Sequence, residues 1–316
     1  MSPRALPSKL FDLVFLTRPA LLWASAAFFF AGVISGFDRG VSIQPIGQIA
    51  GMLPNLGLFL IMTASAFVIN QVFDVETDSL NRKAFIIPTG LVRRYEALIL
   101  GFLLYLVVIL ISFRLSPLVK HLVWLGAGLG LAYSLPPIRL KARPVADLLA
   151  NVAGFGVIGF TLGRLTNSPS LAQALVAAFP YSLAMAAIFI NTCIADEEGD
   201  RMAGDRTICV VFGSRKVSRV AVVMLGLAGL VGALEGEILL WLAATAAMPA
   251  FVGLAVEPTR PTSLVASRVS AIALLALVTV RIPIYGLGAI GIYLVSSRYY
   301  RWRFNLKYPS LSPSGD

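Results

Sequence analysis

Asn70, Asp74 and Asp78 stand four residues apart in the stretch Asn70-Gln71-Val72-Phe73-Asp74-Val75-Glu76-Thr77-Asp78, which closes a long apolar run. On a helix such residues fall near one face, drifting about 40° per step. A second acidic stretch, Asp196-Glu197-Glu198-Gly199-Asp200-Arg201-Met202-Ala203-Gly204-Asp205, closes another apolar run and repeats the spacing at Asp196 and Asp200. Together the two stretches hold 8 of the chain's 16 acidic residues. Hard carboxylate oxygens projecting from two facing helices suit Mg²⁺, which usually keeps waters and takes its remaining ligands from substrate phosphates. The expected substrate group is therefore a diphosphate, with Asp74, Asp78, Asp196 and Asp200 as metal ligands.

Basic and hydroxyl groups accompany the acids. The stretch Tyr133-Ser134-Leu135-Pro136-Pro137-Ile138-Arg139-Leu140-Lys141 leaves an apolar run on the same side, offering a phenol, a hydroxyl, a guanidinium and an ammonium. Arg139 and Lys141 can hold phosphate oxygens through charge-assisted hydrogen bonds. Asp147 and Asn151, four apart at the start of the next apolar run, are candidates to orient an acceptor or to form a structural pair. His121 falls on the side away from the carboxylates and is not read as a general base. Phe28, Phe29 and Phe30 read as packing or lipid-facing residues.

The elements that must position these groups are set by composition. The chain has 316 residues, 58% hydrophobic and 13% charged, with a mean hydropathy of +0.83. Soluble domains carry about 25% charged residues, so the chain reads as an integral membrane protein. Apolar runs approach the roughly 20 residues needed to cross a bilayer, and none alternates as a barrel strand would. The reading is an all-α, polytopic helical bundle around a central cavity. Candidate spans are Thr17–Gly36, Leu56–Phe73, Ala97–Phe113, Leu118–Tyr133, Val145–Leu162, Leu171–Ile194, Val217–Leu234 and Ile238–Val256. From Val265 to Val295 the chain is apolar but interrupted by Arg281 and Pro283, which mark one broken helix or a turn between two. The total is about nine, with ten as the alternative.

The net charge of +10 is spread among loops between apolar runs, where membrane orientation explains it and nucleic acid is not needed. On alternate sides, 17 Lys and Arg residues face 4, and both acidic stretches lie on the basic side, which is cytoplasmic by the positive-inside rule. The tail residues Arg298, Arg301, Arg303 and Lys307 join that side only if there are ten spans. Arg18-Pro19 and Arg143-Pro144 are offset by 125 residues, close to the 122 separating the acid pairs. The chain thus reads as one domain, 1–316, of two pseudo-repeated four-helix units, about 17–134 and 143–256, plus a C-terminal hydrophobic segment. Cys193 and Cys209 follow no metal-ligand spacing, and the amino-terminal segment shows no A-x-A-type cleavage site.

These residues carry a resemblance. The first stretch resembles the N-x-x-x-D-x-x-x-D signature of the UbiA superfamily of intramembrane prenyltransferases. The second resembles its D-x-x-x-D-x-x-x-G-x-x-T, here Asp196, Asp200, Gly204 and Thr207. The Tyr-Ser-x-Pro-Pro-x-Arg-x-Lys loop and Arg18-Pro19 are similar too. The resemblance implies transfer of a prenyl chain from an isoprenyl diphosphate to a hydrophobic acceptor in the lipid bilayer, with Mg²⁺ held between the motifs. It implies that Asn70, Asp74, Asp78, Asp196 and Asp200 serve metal and diphosphate, that Arg18, Arg139 and Lys141 bind substrate, and that Tyr133 lies near the reacting centre. An Arg-Pro pair common in the family is Ile87-Pro88 here, and the Asn-Gln-x-x-Asp-x-Glu-x-Asp wording is nearer the homogentisate and chlorophyll-synthase side. An aromatic, quinone or chlorin acceptor is expected. The rival reading is a divalent-cation transporter or channel, which would distribute its acids through the bilayer instead of clustering them at one face. A lipid-binding scaffold on the same fold would not need intact aspartate pairs.

Overall fold

The computed structural model describes residues 6–36, 46–80 and 85–306. Arg4, Arg39, Arg82, Lys83 and Lys307, counted above in the charge asymmetry, lie outside the described residues. Among those described there is no strand. An amphipathic helix α1 (Leu6–Leu16) leads into α2 (Pro19–Ser35), with Pro19 at the first helical position, where a missing N–H costs nothing. Then come α3 (Ile46–Phe73), the short α4 (Val75–Leu80), α5 (Arg94–Ser112) and α6 (Pro117–Ser134). A rod of α7 (Ala146–Asn151), a π-helical stretch over Val152–Gly159 and α8 (Phe160–Arg164) follows. The chain continues with α9 (Leu171–Ala203), α10 (Ile208–Phe212), α11 (Ser214–Leu234), α12 (Ile238–Val256), α13 (Arg260–Arg281) and α14 (Pro283–Phe304).

Eight of these segments are long and apolar enough to cross a membrane, α1 and α2 being joined as Ser8–Ser35. The break expected at Arg281 and Pro283 separates two helices of 22 residues each. At 1.5 Å per residue each is about 33 Å long, the thickness of the hydrocarbon layer, though of the two only α13 is among the eight apolar segments. The last helix returns to the amino-terminal end. There the buried Asp12 of α1 accepts hydrogen bonds from Tyr299 Oη at 2.7 Å and from Arg303 Nη2 at 2.7 Å, and Phe15 stacks on Tyr299 with ring centroids 3.7 Å apart. The basic tail therefore lies at the end of the bundle that holds α1, as two helices require.

Away from the acid-bearing helix ends, small residues let α2 and α8 approach closely. A Cβ on Gly32 of α2 would stand 1.9 Å from the Phe160 carbonyl oxygen, and one on Gly163 of α8 would stand 1.9 Å from the Phe29 carbonyl oxygen. Backbones this close are what small residues provide in membrane bundles, where apolar lipid supplies no hydrophobic drive between helices. The core around this crossing holds Phe29, Phe59, Phe160 and Tyr181, all fully buried.

Candidate active site

Asp74 sits at the junction of α3 and α4. The helical hydrogen-bond pattern runs through it, from Asp74 N to Asn70 O at 3.0 Å and from Asp78 N to Asp74 O at 2.7 Å, so the four-residue spacing does place the three residues on one face. Asn70 Nδ2 donates to Asp74 Oδ2 at 2.6 Å. The intervening Glu76 and, in the second motif, Glu198 are exposed, so each motif divides into inward aspartates and outward glutamates. Glu197 is held by Arg201 and Ser214.

Both motifs line one small polar cavity of about 130 Å³. Asn70, Asp74 and Asp78 form one side of it, and Asp196, Asp200 and Asp205 the other. Arg18, Tyr133, Lys141 and Asp147 complete the wall. Arg18 Nη2 pairs with Asp78 Oδ2 at 2.9 Å. Lys141 Nζ is 2.5 Å from Asp74 Oδ1 and 3.5 Å from Asp205 Oδ2. Arg139 stands behind the wall, with Nη2 3.2 Å from Asp205 Oδ1 and 3.9 Å from Asp74 Oδ1. Burial pushes the Asp74 carboxyl up from the ordinary aspartate value, and Lys141 beside it opposes the shift.

The loops are bent to reach this arrangement. Arg18, Arg139 and Val145 have positive φ, at 55°, 38° and 67°, a conformation that L-residues other than glycine rarely adopt. Two of the three bear charges aimed at the aspartates, and the third precedes Asp147. Strain of this kind gathers where the surrounding structure over-determines a site. Gly204, at φ 79°, is the glycine that the second motif requires. It ends α9 in a left-handed turn, closed by Asp205 N to Asp200 O at 2.9 Å, which brings Asp205 back into the cavity.

The expected residues do not all play equal parts. Asp147 lines the cavity, but its carboxylate accepts from Leu148 N at 2.7 Å and Ile208 N at 3.3 Å, so it ties the start of α7 to α10. Asn151 donates to Asp147 O at 2.9 Å and faces the adjoining apolar space instead of the acids. Phe28 also borders that space from within the core. The sequence reading gave no role to Asp205, although it closes the second acidic stretch. Its 3% exposure and its pairing with both Arg139 and Lys141 place it among the central residues.

An apolar cavity of about 550 Å³ adjoins the polar one, sharing Arg18, Tyr133, Phe189, Thr192 and Asp196 with it. A smaller recess of about 170 Å³, lined by Phe67, Asn151 and Phe155, meets both at Arg18 and Tyr133. A larger crevice of about 820 Å³ lies at the other end of the bundle, by Arg164, Glu237 and Arg281, and no motif residue lines it.

The donors of the polar cavity fit a divalent cation by type and charge. Among the described residues that line it, six carboxylates face two cations, and the buried Thr207 Oγ1 lacks a hydrogen-bond partner. No three acidic, histidine or cysteine side chains among the described residues are already gathered at metal-holding distance. The Lys141 ammonium instead takes up the space between Asp74 and Asp205.

Comparison with known proteins gives this geometry a family. A digeranylgeranylglyceryl phosphate synthase of Methanoregula boonei is 33% identical over 177 residues, 54% of this chain and 60% of that protein. The bacteriochlorophyll synthase 34 kDa chain of Chloroflexus aurantiacus is 28% identical over 217 residues, 67% of this chain and 68% of that protein. The matched stretch thus spans three fifths to two thirds of these relatives' lengths. Among solved structures, a UbiA homolog from Archaeoglobus fulgidus bound to DMAPP and Mg²⁺ matches with a TM-score of 0.61 at 18% identity, covering 89% of this chain and 99% of that one, a likeness of fold. The family model of the UbiA prenyltransferase family matches residues 46–275, nearly three quarters of the sequence, and the chain belongs to that family.

Proposed function

We propose that the protein is a Mg²⁺-dependent intramembrane prenyltransferase that moves an isoprenyl group from a prenyl diphosphate to a hydrophobic acceptor within the bilayer. The observation that carries this reading is the union of two unlike spaces. A polar cavity walled by both aspartate motifs meets a 550 Å³ apolar cavity at Arg18, Tyr133, Phe189, Thr192 and Asp196. A prenyl diphosphate has the same division, a multiply charged head on an apolar chain. Pockets of roughly 300–1,000 Å³ are the usual size for such ligands. The solved relatives from Archaeoglobus fulgidus bound to DMAPP or GPP with Mg²⁺ support it.

Asp74, Asp78, Asp196 and Asp200 would hold the metal. When bound, Mg²⁺ supplies Lewis-acid neutralisation of charge on the departing diphosphate. Lys141 and Arg18, which line the polar cavity, would add charge-assisted hydrogen bonds to its oxygens as the allylic C–O bond breaks, and Arg139, behind the wall, would add its charge through Asp205. Tyr133 and Phe189 line both cavities at their boundary, where aromatic rings would stabilise a cation-like carbon and help exclude water from it. Asn70 holds Asp74 in orientation, and Asp147 with Asn151 fixes the loop opposite. The acceptor attacks the carbon and loses a proton.

The acceptor we favour is a single-ring aromatic or quinone type, because the recess beside Tyr133, of about 170 Å³, is flanked by Phe67 and Phe155 and is lined mainly by apolar side chains. A glycerophosphate lipid is the second reading, favoured by the 33% identity to the Methanoregula boonei protein. Clustering of the acids at one end of the bundle argues against a cation pathway. The excess of basic residues on the same end, 17 against 4 in the sequence, supports an active site facing the cytoplasm.

The test is incubation of purified protein with Mg²⁺, labelled geranyl or geranylgeranyl diphosphate and a panel of homogentisate, chlorophyllide and geranylgeranylglyceryl phosphate. Label appearing in one acceptor, dependent on Mg²⁺, is the expected result. Absence of transfer and of diphosphate release with all donors would overturn the reading.

A further inference from the structure

The carboxy-terminal helix α14 lies beyond the region that the family model matches, which ends at residue 275. It nevertheless supplies a wall of the apolar cavity through Tyr285, Ala289, Ile292 and Tyr293. Resting on the prenyl-transfer reading above, we infer that α14 is the element that sets which length of prenyl chain this protein accepts.

Three features support the assignment. First, α14 is fixed against α2, so its inner face is a firm boundary. Trp23 Nε1 donates to Tyr285 O at 3.1 Å, Tyr285 Oη donates back to Trp23 O at 2.8 Å, and the two rings stack 5.2 Å apart. Gly288 permits this contact, since a Cβ there would stand 2.4 Å from the Trp23 ring. The far end of α14 is pinned by the bonds to Asp12 described above. Second, the face it turns to the cavity mixes sizes. Ala289 is small, Ile292 is larger and Tyr293 is a ring at 37% exposure, so the available room depends on individual side chains. Third, the cavity runs from the acids to α14. Asp196 and Tyr133 lie at its polar boundary, and Leu21, Ile272 and Tyr293, all at the outer surface of the bundle, form its other margin. A chain whose head is held at the aspartates extends along this space toward α14, and each added isoprene unit moves its end closer to that wall or past Tyr293.

An apolar pocket discriminates between substrates that differ by a few carbons through lost contact or overlap, and one methylene is worth roughly 10–200-fold. The experiment measures kcat/KM for geranyl and for geranylgeranyl diphosphate with Ala289→Phe, Tyr293→Ala and, on the outward face of α14, Leu287→Ala. Ala289→Phe is expected to lower the ratio of longer to shorter donor by roughly tenfold or more, and Tyr293→Ala to raise it. Leu287→Ala is expected to leave the ratio as in the unaltered protein. A ratio unmoved by both inward variants, in protein that elutes as a single species, overturns the inference and makes α14 a packing element only. Should Ala289→Phe not fold, Tyr293→Ala decides alone. Failure of the parent reading looks different, because the unaltered protein would then turn over neither donor.

Discussion

The Lys141 ammonium stands 2.5 Å from Asp74 Oδ1, joining the loop after α6 to the end of α3 across a sequence separation of 67 residues. Both partners are buried, at 8% and 5% exposure. The same nitrogen reaches Asp205 at 3.5 Å, so one cation ties together the two acidic motifs. A buried carboxylate left without its cation is costly, about 3–5 kcal/mol, because the charge stays out of water uncompensated.

Replacing Lys141 with Gln therefore has two consequences that separate by measurement. If Lys141 serves only to hold the motifs, thermal stability falls and the kinetics of the folded fraction stay constant. The proposed role in binding the diphosphate predicts that kcat/KM for prenyl diphosphate also falls, by about one to two decades for a lost charge-assisted bond of about 1.5–3 kcal/mol. Arg139→Gln should be poorly tolerated for a related reason. Arg139 Nη2 stands 3.2 Å from Asp205 Oδ1 and 3.9 Å from Asp74 Oδ1, and a neutral amide supplies no positive charge there, whereas Arg139→Lys keeps it.

The aspartates themselves give a sharper outcome. Asp74→Asn and Asp200→Asn each remove a negative oxygen from the polar cavity while preserving shape. Both variants should elute as folded protein and lose prenyl transfer. Isothermal titration with Mg²⁺ in the presence of a non-hydrolysable prenyl diphosphate analogue should show weakened binding in each. Wild-type turnover at limiting Mg²⁺ in either variant would remove that residue from the metal site.

Much of the site was readable because four-residue spacing on a helix is a local property. Asn70, Asp74 and Asp78 needed only the helical period, and the same is true of Asp196 and Asp200. Asp205 escaped because its return to the cavity depends on the left-handed turn at Gly204, a change of chain direction that no periodicity announces. The π-helical stretch over Val152–Gly159 was likewise invisible, since its apolar run reads the same with any helical pitch. The sequence does not decide for a tenth long helix because Pro283 suits a kink as well as a first helical position. Only its contacts with α1 and α2 distinguish the two, and those are pairings across more than 260 residues.

The crossing of α2 and α8 predicts a stability loss remote from the chemistry. In Gly163→Ala the new methyl meets a carbonyl oxygen of Phe29, a backbone atom that cannot rotate aside. Overpacking in cores typically costs about 1–3 kcal/mol, and a backbone clash belongs at or beyond the upper end. Thermal unfolding in detergent should show a clear drop for Gly163→Ala and for Gly32→Ala. Gly128, exposed on α6 with nothing within 4 Å of its position for a Cβ, is the control, and alanine there should not destabilise.

The orientation of the bundle is tested by single cysteines at its acid-bearing end. Ser79, directly after the first motif, and Met202, within the second, are exposed, whereas the native Cys193 and Cys209 are buried and should contribute little background. The basic excess on this end predicts that Ser79→Cys and Met202→Cys react with a membrane-impermeant thiol reagent only after the cytoplasmic face is opened. Leu234, exposed at the opposite end of α11, should behave conversely as Leu234→Cys and react in intact cells. The two sets of sites must exchange accessibility together, since α11 crosses the bundle between the second motif and the turn before α12. Labelling of Ser79→Cys and Met202→Cys in intact cells would reverse the topology, and would require the diphosphate to arrive from the outer face.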